Sequence, residues 1–117
     1  MKSGSVILAK IQQANGRLKA RPTIVLNTMP PFSDLLVCAI SSKLRHECPG
    51  FDEMIAPEDD DYVHSGLKVA SLIRLGMIAT IPKSIVLGKL GQISESRLQR
   101  LRKKLSLRIK LEQETSY

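Results

Sequence analysis

The apolar positions of this chain fall into short blocks with strand character, and one later block has helical spacing. Residues 5–11, SVILAKI, are β-branched at Val6, Ile7 and Ile11 and lead into Asn15-Gly16, the pair favoured in tight hairpins, so a first strand and a turn are predicted. PTIVL, residues 22–26, resumes as a second strand, with Pro22 at its first position where no ladder donor is needed. MPPFSD ends it. LLVCAIS, residues 35–41, is apolar without alternation, which predicts a central strand buried on both faces.

The pattern loosens between residues 43 and 66, where Pro49-Gly50, a short strand over 51–56 and an acidic loop are expected. VASLIRLGMIATI, residues 69–81, has two strand-like stretches about Gly76, and SIVLGKLGQI, residues 84–93, is broken by glycines that predict bends. From Ser94 the period changes. Leu98, Leu101, Leu105 and Ile109 recur every three or four residues with cations mostly between them, and Leu111 follows, predicting an amphipathic helix capped by Ser94, with Glu95 complementing its positive end. Short strands followed by one such helix predict a mainly β domain with α, a small bent antiparallel sheet or barrel closed by a C-terminal amphipathic helix.

Length limits this to one domain over residues 1–117, with 43% apolar and 25% charged residues as in ordinary globular proteins. No stretch approaches the roughly 18 uninterrupted apolar residues of a membrane span. Lys10 interrupts the first apolar run and no small-residue cleavage site follows, so a cytoplasmic protein with no membrane role is expected. Cys38, inside an apolar run, and Cys48 are read as free thiols.

The net charge is +7 and unevenly spread. Seven basic residues lie between Arg97 and Lys110, and Asp52, Glu53, Glu58, Asp59, Asp60 and Asp61 form a stretch without a base. An electrically polar molecule attractive to polyanions is expected. The carboxylates of Glu58–Asp61 lack the spacing and glycine of a calcium loop and read as a solvated, mobile loop. No nucleotide-binding glycine loop and no Cys/His cluster occurs, so neither cofactor nor metal is expected. With two Phe, two Tyr and no Trp, stacking platforms for nucleobases are scarce.

Gly4-Ser5-Val6 before the first strand, Arg21-Pro22 opening the second, VCAISS, SGLKVASLIRL, and LGKLGQIS before a helix occur in an order that resembles the MazF/PemK family of toxin–antitoxin toxins, over about residues 4–111. The resemblance implies an SH3-like barrel of the CcdB/PemK type, usually a homodimer. It also implies an endoribonuclease that cuts single-stranded RNA or mRNA without a metal, inhibits growth, and is silenced by a cognate acidic antitoxin. In that family the arginine of the Arg-Pro pair and the hydroxyl after the third strand line the active site; the matching positions are Arg21 and Ser41, with Ser42 beside it. Some members use an arginine and an acidic residue two places later as acid and base, positions held here by Arg74 and Gly76. Ser5 where Asp is usual, Lys19 where many members carry glutamate, and Gly76 mark a divergent branch.

Catalytic candidates are therefore Arg21, Ser41, Arg74 and His46; RNA-binding candidates are Lys19, Arg21, Ser42, Lys43 and Arg74. A guanidinium matches two phosphate oxygens and a serine hydroxyl adds a neutral donor. If the second and third strands pair, Arg21 and Ser41 meet at one sheet edge. Arginine holds its proton too tightly for acid–base work, which leaves His46, and less directly His64, as groups that titrate near neutrality. The alternatives are a noncatalytic barrel that binds RNA, DNA or a partner protein, with Arg21 and Arg74 as edge cations, Ser41 as a strand end, and the basic helix as a plug.

Overall fold

The computed structural model describes residues 1–12 and 15–110. Leu111, offered above as the last apolar position of the helix, lies outside the described residues. Six strands form one antiparallel sheet in the order β4-β5-β3-β2-β1-β6, namely β1 (Ser5–Gln12), β2 (Leu18–Met29), β3 (Asp34–Ser41), β4 (Glu53–Ile55), β5 (Ser71–Ile81) and β6 (Val86–Gln92). Helix α1 (Tyr62–Ser65) is one turn, α2 (Glu95–Ile109) is four, and short 3-10 turns cover Leu44–His46 and Lys83–Ile85. β4 and β6 remain the two edges, so the sheet is open rather than a closed barrel, with register slips between β1 and β6, β2 and β3, and β3 and β5.

Burial on two faces explains β3. Cys38 and Ile40 join Val6, Ile24, Leu26, Ile73 and the α2 residues Leu98, Leu101 and Leu105 in one core cluster. Leu35 and Val37 face the other way, against Ile7, Ala9, Val25 and Ile81. The α2 stripe ends at Leu105, because Ile109, expected to extend it, is 67% exposed. Ser94 caps the helix as predicted, its hydroxyl accepting from the Arg97 N–H at 3.2 Å.

Two boundaries differ from the sequence reading. β2 starts four residues before Pro22, which sits mid-strand opposite Leu8. Pairing with β3 begins one residue later, at Thr23, so the proline falls at the margin of the three-strand region. β5 is a single strand whose register slips beside Gly76: Ala39 pairs with Arg74 but Cys38 with Ile78, leaving Leu75, Gly76 and Met77 as a bulge. The unpredicted α1 packs closely on β6. Gly66, left-handed at φ 75°, has no room for a side chain beside the Leu90 carbonyl, and Gly91 has none beside the His64 carbonyl.

The acidic segment is only in part the solvated loop expected: Glu58 and Asp60 are exposed, but Asp59 is half-buried and Asp61 buried. Arg97, 5% exposed, reaches from α2 into it. Its Nε donates to Asp61 at 2.7 Å, and its terminal nitrogens donate to Asp61, Glu53, Asp59 and the Met54 carbonyl. Arg100 and Lys104 add bonds to Glu53. Asp52, also buried, accepts from the Cys48 and Leu75 N–H groups and ties the preceding loop to β5. Helical cations need only water when nothing faces them, but here a carboxylate cluster does. Burial opposes the charge of Asp61, yet the Arg97 fork and the Ser94 N–H outweigh it and hold the carboxyl below its ordinary value. Burial likewise opposes the charge of Glu53, and Arg100 and Lys104 overcome it. Three cations of the basic helix, Arg97, Arg100 and Lys104, thus meet carboxylates of the acidic segment.

Candidate functional site

On the sheet face opposite α2, the apolar cluster gives way to polar side chains at one end. Thr23 of β2 lies opposite Ala39 of β3, and Ala39 opposite Arg74 of β5, a row across three strands. Alternation along each strand places Arg21 and Ser41, two residues from Thr23 and Ala39, on that same face. β2 therefore runs Val25, Thr23, Arg21 and β3 runs Val37, Ala39, Ser41, each passing from buried apolar to accessible polar. The result is a cleft of about 310 Å³ lined by Arg21, Thr23, Ala39, Ser41, Lys43, His46, Arg74, Ile11 and Met77 among others.

The loop after β3 supplies the rim. The Ser41 hydroxyl oxygen accepts from the Lys43 N–H at 3.0 Å, and the His46 N–H donates to the Lys43 carbonyl at 3.1 Å. That tight curl turns Lys43 and His46 back over the strand end and leaves the Ser41 proton available to an acceptor. Lys43 and His46 are exposed, Arg21, Ser41 and Arg74 are half-buried, and Thr23 is buried.

Of the residues selected from sequence, the cleft brings together Arg21, Ser41, Arg74, His46 and Lys43. Lys19, exposed on β2 opposite Ile11, and exposed Ser42 are not among its lining residues. His64 lies on α1 against β6, away from the cleft. Gly76 is exposed and opens onto the neighbouring groove, beside Phe51 and Arg108, rather than into the cleft. No carboxylate lines the cleft among the described residues. Thr23 escaped the sequence reading because a β-branched residue in a strand needs no further reason to be there. The usable signal was its spacing, two residues from Arg21 on the same face.

Two polar atoms stand out. Among the described residues, the Thr23 hydroxyl and the Arg74 Nε are buried side-chain atoms without a hydrogen-bond partner, and both residues line this cleft. A buried donor left unmade costs about 1–3 kcal/mol, so both atoms are places where a water or a ligand can complete the bonding. Among the described residues no group of three His, Cys, Asp or Glu side chains is arranged to hold a metal ion. None of the described helices is long and apolar enough to cross a membrane.

Comparison with known proteins adds an independent line. Residues 2–109 match the family model described as PemK-like, MazF-like toxin of type II toxin–antitoxin system. Among solved structures, the Mycobacterium tuberculosis toxin MazF-mt6 superposes with a TM-score of 0.65 at 18% identity, over 88% of this chain and 93% of that one. An endoribonuclease in complex with its cognate antitoxin, from a mycobacterial species, superposes with a TM-score of 0.69 at 13% identity, over 96% of this chain and 99% of that one. At such identities these likenesses establish the fold. No curated protein matches the chain at a significant level.

Proposed function

Since the chain belongs to the PemK-like, MazF-like toxin family of type II toxin–antitoxin systems, we propose that it is a metal-independent endoribonuclease that cleaves single-stranded RNA in the cleft beside Arg21. The observation that carries the reading is the convergence of Arg21, Ser41 and Arg74 from three strands onto one accessible sheet face, with Lys43 and His46 at its rim. Four groups that bear or can bear positive charge, with no carboxylate lining the same cleft among the described residues, suit a phosphodiester.

In the reaction the 2′-hydroxyl of the target nucleotide attacks its own 3′-phosphorus, and the bond to the 5′-oxygen of the next nucleotide breaks. A 2′,3′-cyclic phosphate and a free 5′-hydroxyl result. Arg21 and Arg74 offset the charge that accumulates on the nonbridging oxygens, and the Ser41 hydroxyl donates a further hydrogen bond. The proton leaving the 2′-hydroxyl and the one arriving at the 5′-oxygen need a side chain that can take up and release protons, a role we give to the His46 imidazole at the rim. A cognate antitoxin of acidic character would silence the enzyme by covering these cations, and a second copy would cover the apolar groove that includes exposed Leu18 and Leu87. The protein acts in the cytoplasm, where mRNA and antitoxin are met.

The absence of a lining carboxylate among the described residues favours one other reading, a cleft that binds RNA without cutting it. Incubation with single-stranded RNA in excess chelator separates the two. Cyclic-phosphate products, at least 100-fold fewer with Arg21→Ala, are expected. Intact RNA with the wild type, or equal cutting by the variant, overturns the catalytic assignment. Sedimentation at micromolar concentration checks the homodimer; a monomer refutes it.

A further inference from the structure

Two segments carry cations into the cleft, and both are tied to one carboxylate. The first is the start of the β5 bulge: Arg74 is the last residue paired with β3 before the slip, and Leu75, the next, lies in the bulge. The second is the stretch from Ser41 to Cys48, which carries Lys43 and His46. The bonds inside it are local, from the Lys43 N–H to the Ser41 hydroxyl, the Leu44 N–H to the Ser42 carbonyl, and the His46 N–H to the Lys43 carbonyl. Asp52, 7% exposed and not among the lining residues of the cleft, joins the two segments. One of its oxygens accepts from the Leu75 N–H at 3.1 Å and the other from the Cys48 N–H at 2.9 Å. The β4–β5 ladder stops at Glu53 opposite Ile73, and just past its end the Leu75 N–H meets this carboxylate in place of a strand carbonyl. Asp52 is itself held from the other side, because the adjoining Glu53 is gripped by Arg97, Arg100 and Lys104 of α2.

We infer that Asp52 is a positioning residue of the cleft, whose carboxylate fixes Arg74 relative to the loop that carries Lys43 and His46. A guanidinium that stabilises charge accumulating on a phosphate must already be in place, because donors arranged in advance cost no reorganisation during the reaction. Arg74 stands beside a register slip, where the β3 ladder does not hold the residues that follow. The Asp52 bond to Leu75 fixes the bulge where Arg74 enters it. In the loop, the Ser41 hydroxyl holds the near end and Asp52 the far end, so the rim can turn between two fixed points without drifting from Arg74. Asparagine has the shape of aspartate but one oxygen, so it keeps one of the two bonds and turns an amino group toward the other N–H; alanine loses both. Neither substitution removes a cation from the cleft. The inference rests on the reading of this cleft as an RNA-cleaving site, so one arm of its test does without cleavage.

The first arm compares steady-state cleavage of single-stranded RNA, in excess chelator, by wild type, Asp52→Asn, Asp52→Ala and Gly91→Ala, each below the onset of its melting transition. Since misplacing a reacting group by about 1 Å can cost about 100-fold in rate, kcat is expected to fall about tenfold in Asp52→Asn and about 100-fold in Asp52→Ala. KM should stay within about threefold of wild type, because the cations that attract the phosphates are retained. Gly91→Ala, strained where α1 meets β6 and outside the cleft lining, should keep the wild-type kcat. An equal fall there would make the loss one of general stability and overturn the assignment. Unchanged kcat in Asp52→Ala, or a loss confined to KM, overturns it too. If Asp52→Ala does not fold, Asp52→Asn decides by the same criteria. The second arm needs no catalysis. Proton–nitrogen correlation NMR spectra of wild type and Asp52→Asn should differ at the Arg74 Nε–H and at the amides of residues 43–48 and 74–77, with those of β1 and β6 unmoved. A stationary Arg74 signal overturns the positioning role whether or not RNA is cut. Intact RNA with the wild type removes the nuclease reading alone, and a shifted Arg74 signal then retains Asp52 as the residue that orders the cleft.

Discussion

Replacing Arg97 by methionine keeps much of its hydrocarbon stem and removes its five hydrogen bonds, to Asp61, Glu53, Asp59 and the Met54 carbonyl. Their loss is unequal. Glu53 retains Arg100 and Lys104, and Asp59 is 34% exposed and still accepts from the Ala56 N–H. The Asp61 side chain is 6% exposed and retains the Ser94 N–H. One buried carboxylate stripped of its cation costs about 3–5 kcal/mol. For a chain of this length that lowers the melting temperature by roughly 10–20 °C. Urea unfolding of Arg97→Met at pH 7, followed by circular dichroism, measures it. Adding Asp61→Asn should recover about 1–3 kcal/mol by removing the stranded charge. Acid supplies an independent arm. Asp61 and Glu53 titrate below their ordinary values of 3.8 and 4.5, so the folded protein binds fewer protons than the unfolded one. Their contribution is complete above those values and drains away as pH falls below them, so wild type and Arg97→Met should converge there. A loss under about 1 kcal/mol at pH 7, or no recovery in the double variant, would refute the account.

Two further outcomes are expected. Burial pushes the Cys38 thiol up to about 12 while Cys48 is exposed, so maleimide at pH 8 should add one label to the native protein and two in urea, read by mass spectrometry. Gly91→Ala would drive a methyl group into the backbone of His64 and Ser65, forcing α1 from β6; a destabilisation of about 1–3 kcal/mol in thermal melts is expected.

What could be read from sequence was whatever depended on local pattern. The unalternating run at residues 35–41 announced a strand buried on both sides, and Cys38 and Val37 do enter different clusters. Ser94 announced the helix start. Gly76 announced an interruption in the strand pattern of residues 69–81, which the structure realises as a register slip within one strand rather than as two strands. What escaped depended on partners distant in sequence. Arg97 is indistinguishable in a helical pattern from Arg100 or Lys103, and only the folded chain shows that Asp61 meets its Nε from 36 residues away. Asp52 is equally opaque, because its bond to Leu75 spans 23 residues. In the cleft, Arg21 and Ser41 were accessible through motif order, whereas Thr23 required the pairing of β2 with β3.

Because β2 and β3 belong to both core clusters, the floor of the cleft is made from strands that cannot open without dismantling the centre of the molecule. Amide hydrogens of residues 23–25 and 37–39 should accordingly exchange with solvent mainly through global unfolding, while those of the Leu44–His46 turn, held by short-range bonds, should exchange far sooner. The chemistry at this face is divided in time as well as in space, a floor that keeps its shape for as long as the protein stays folded and a rim free to adjust around each strand that enters.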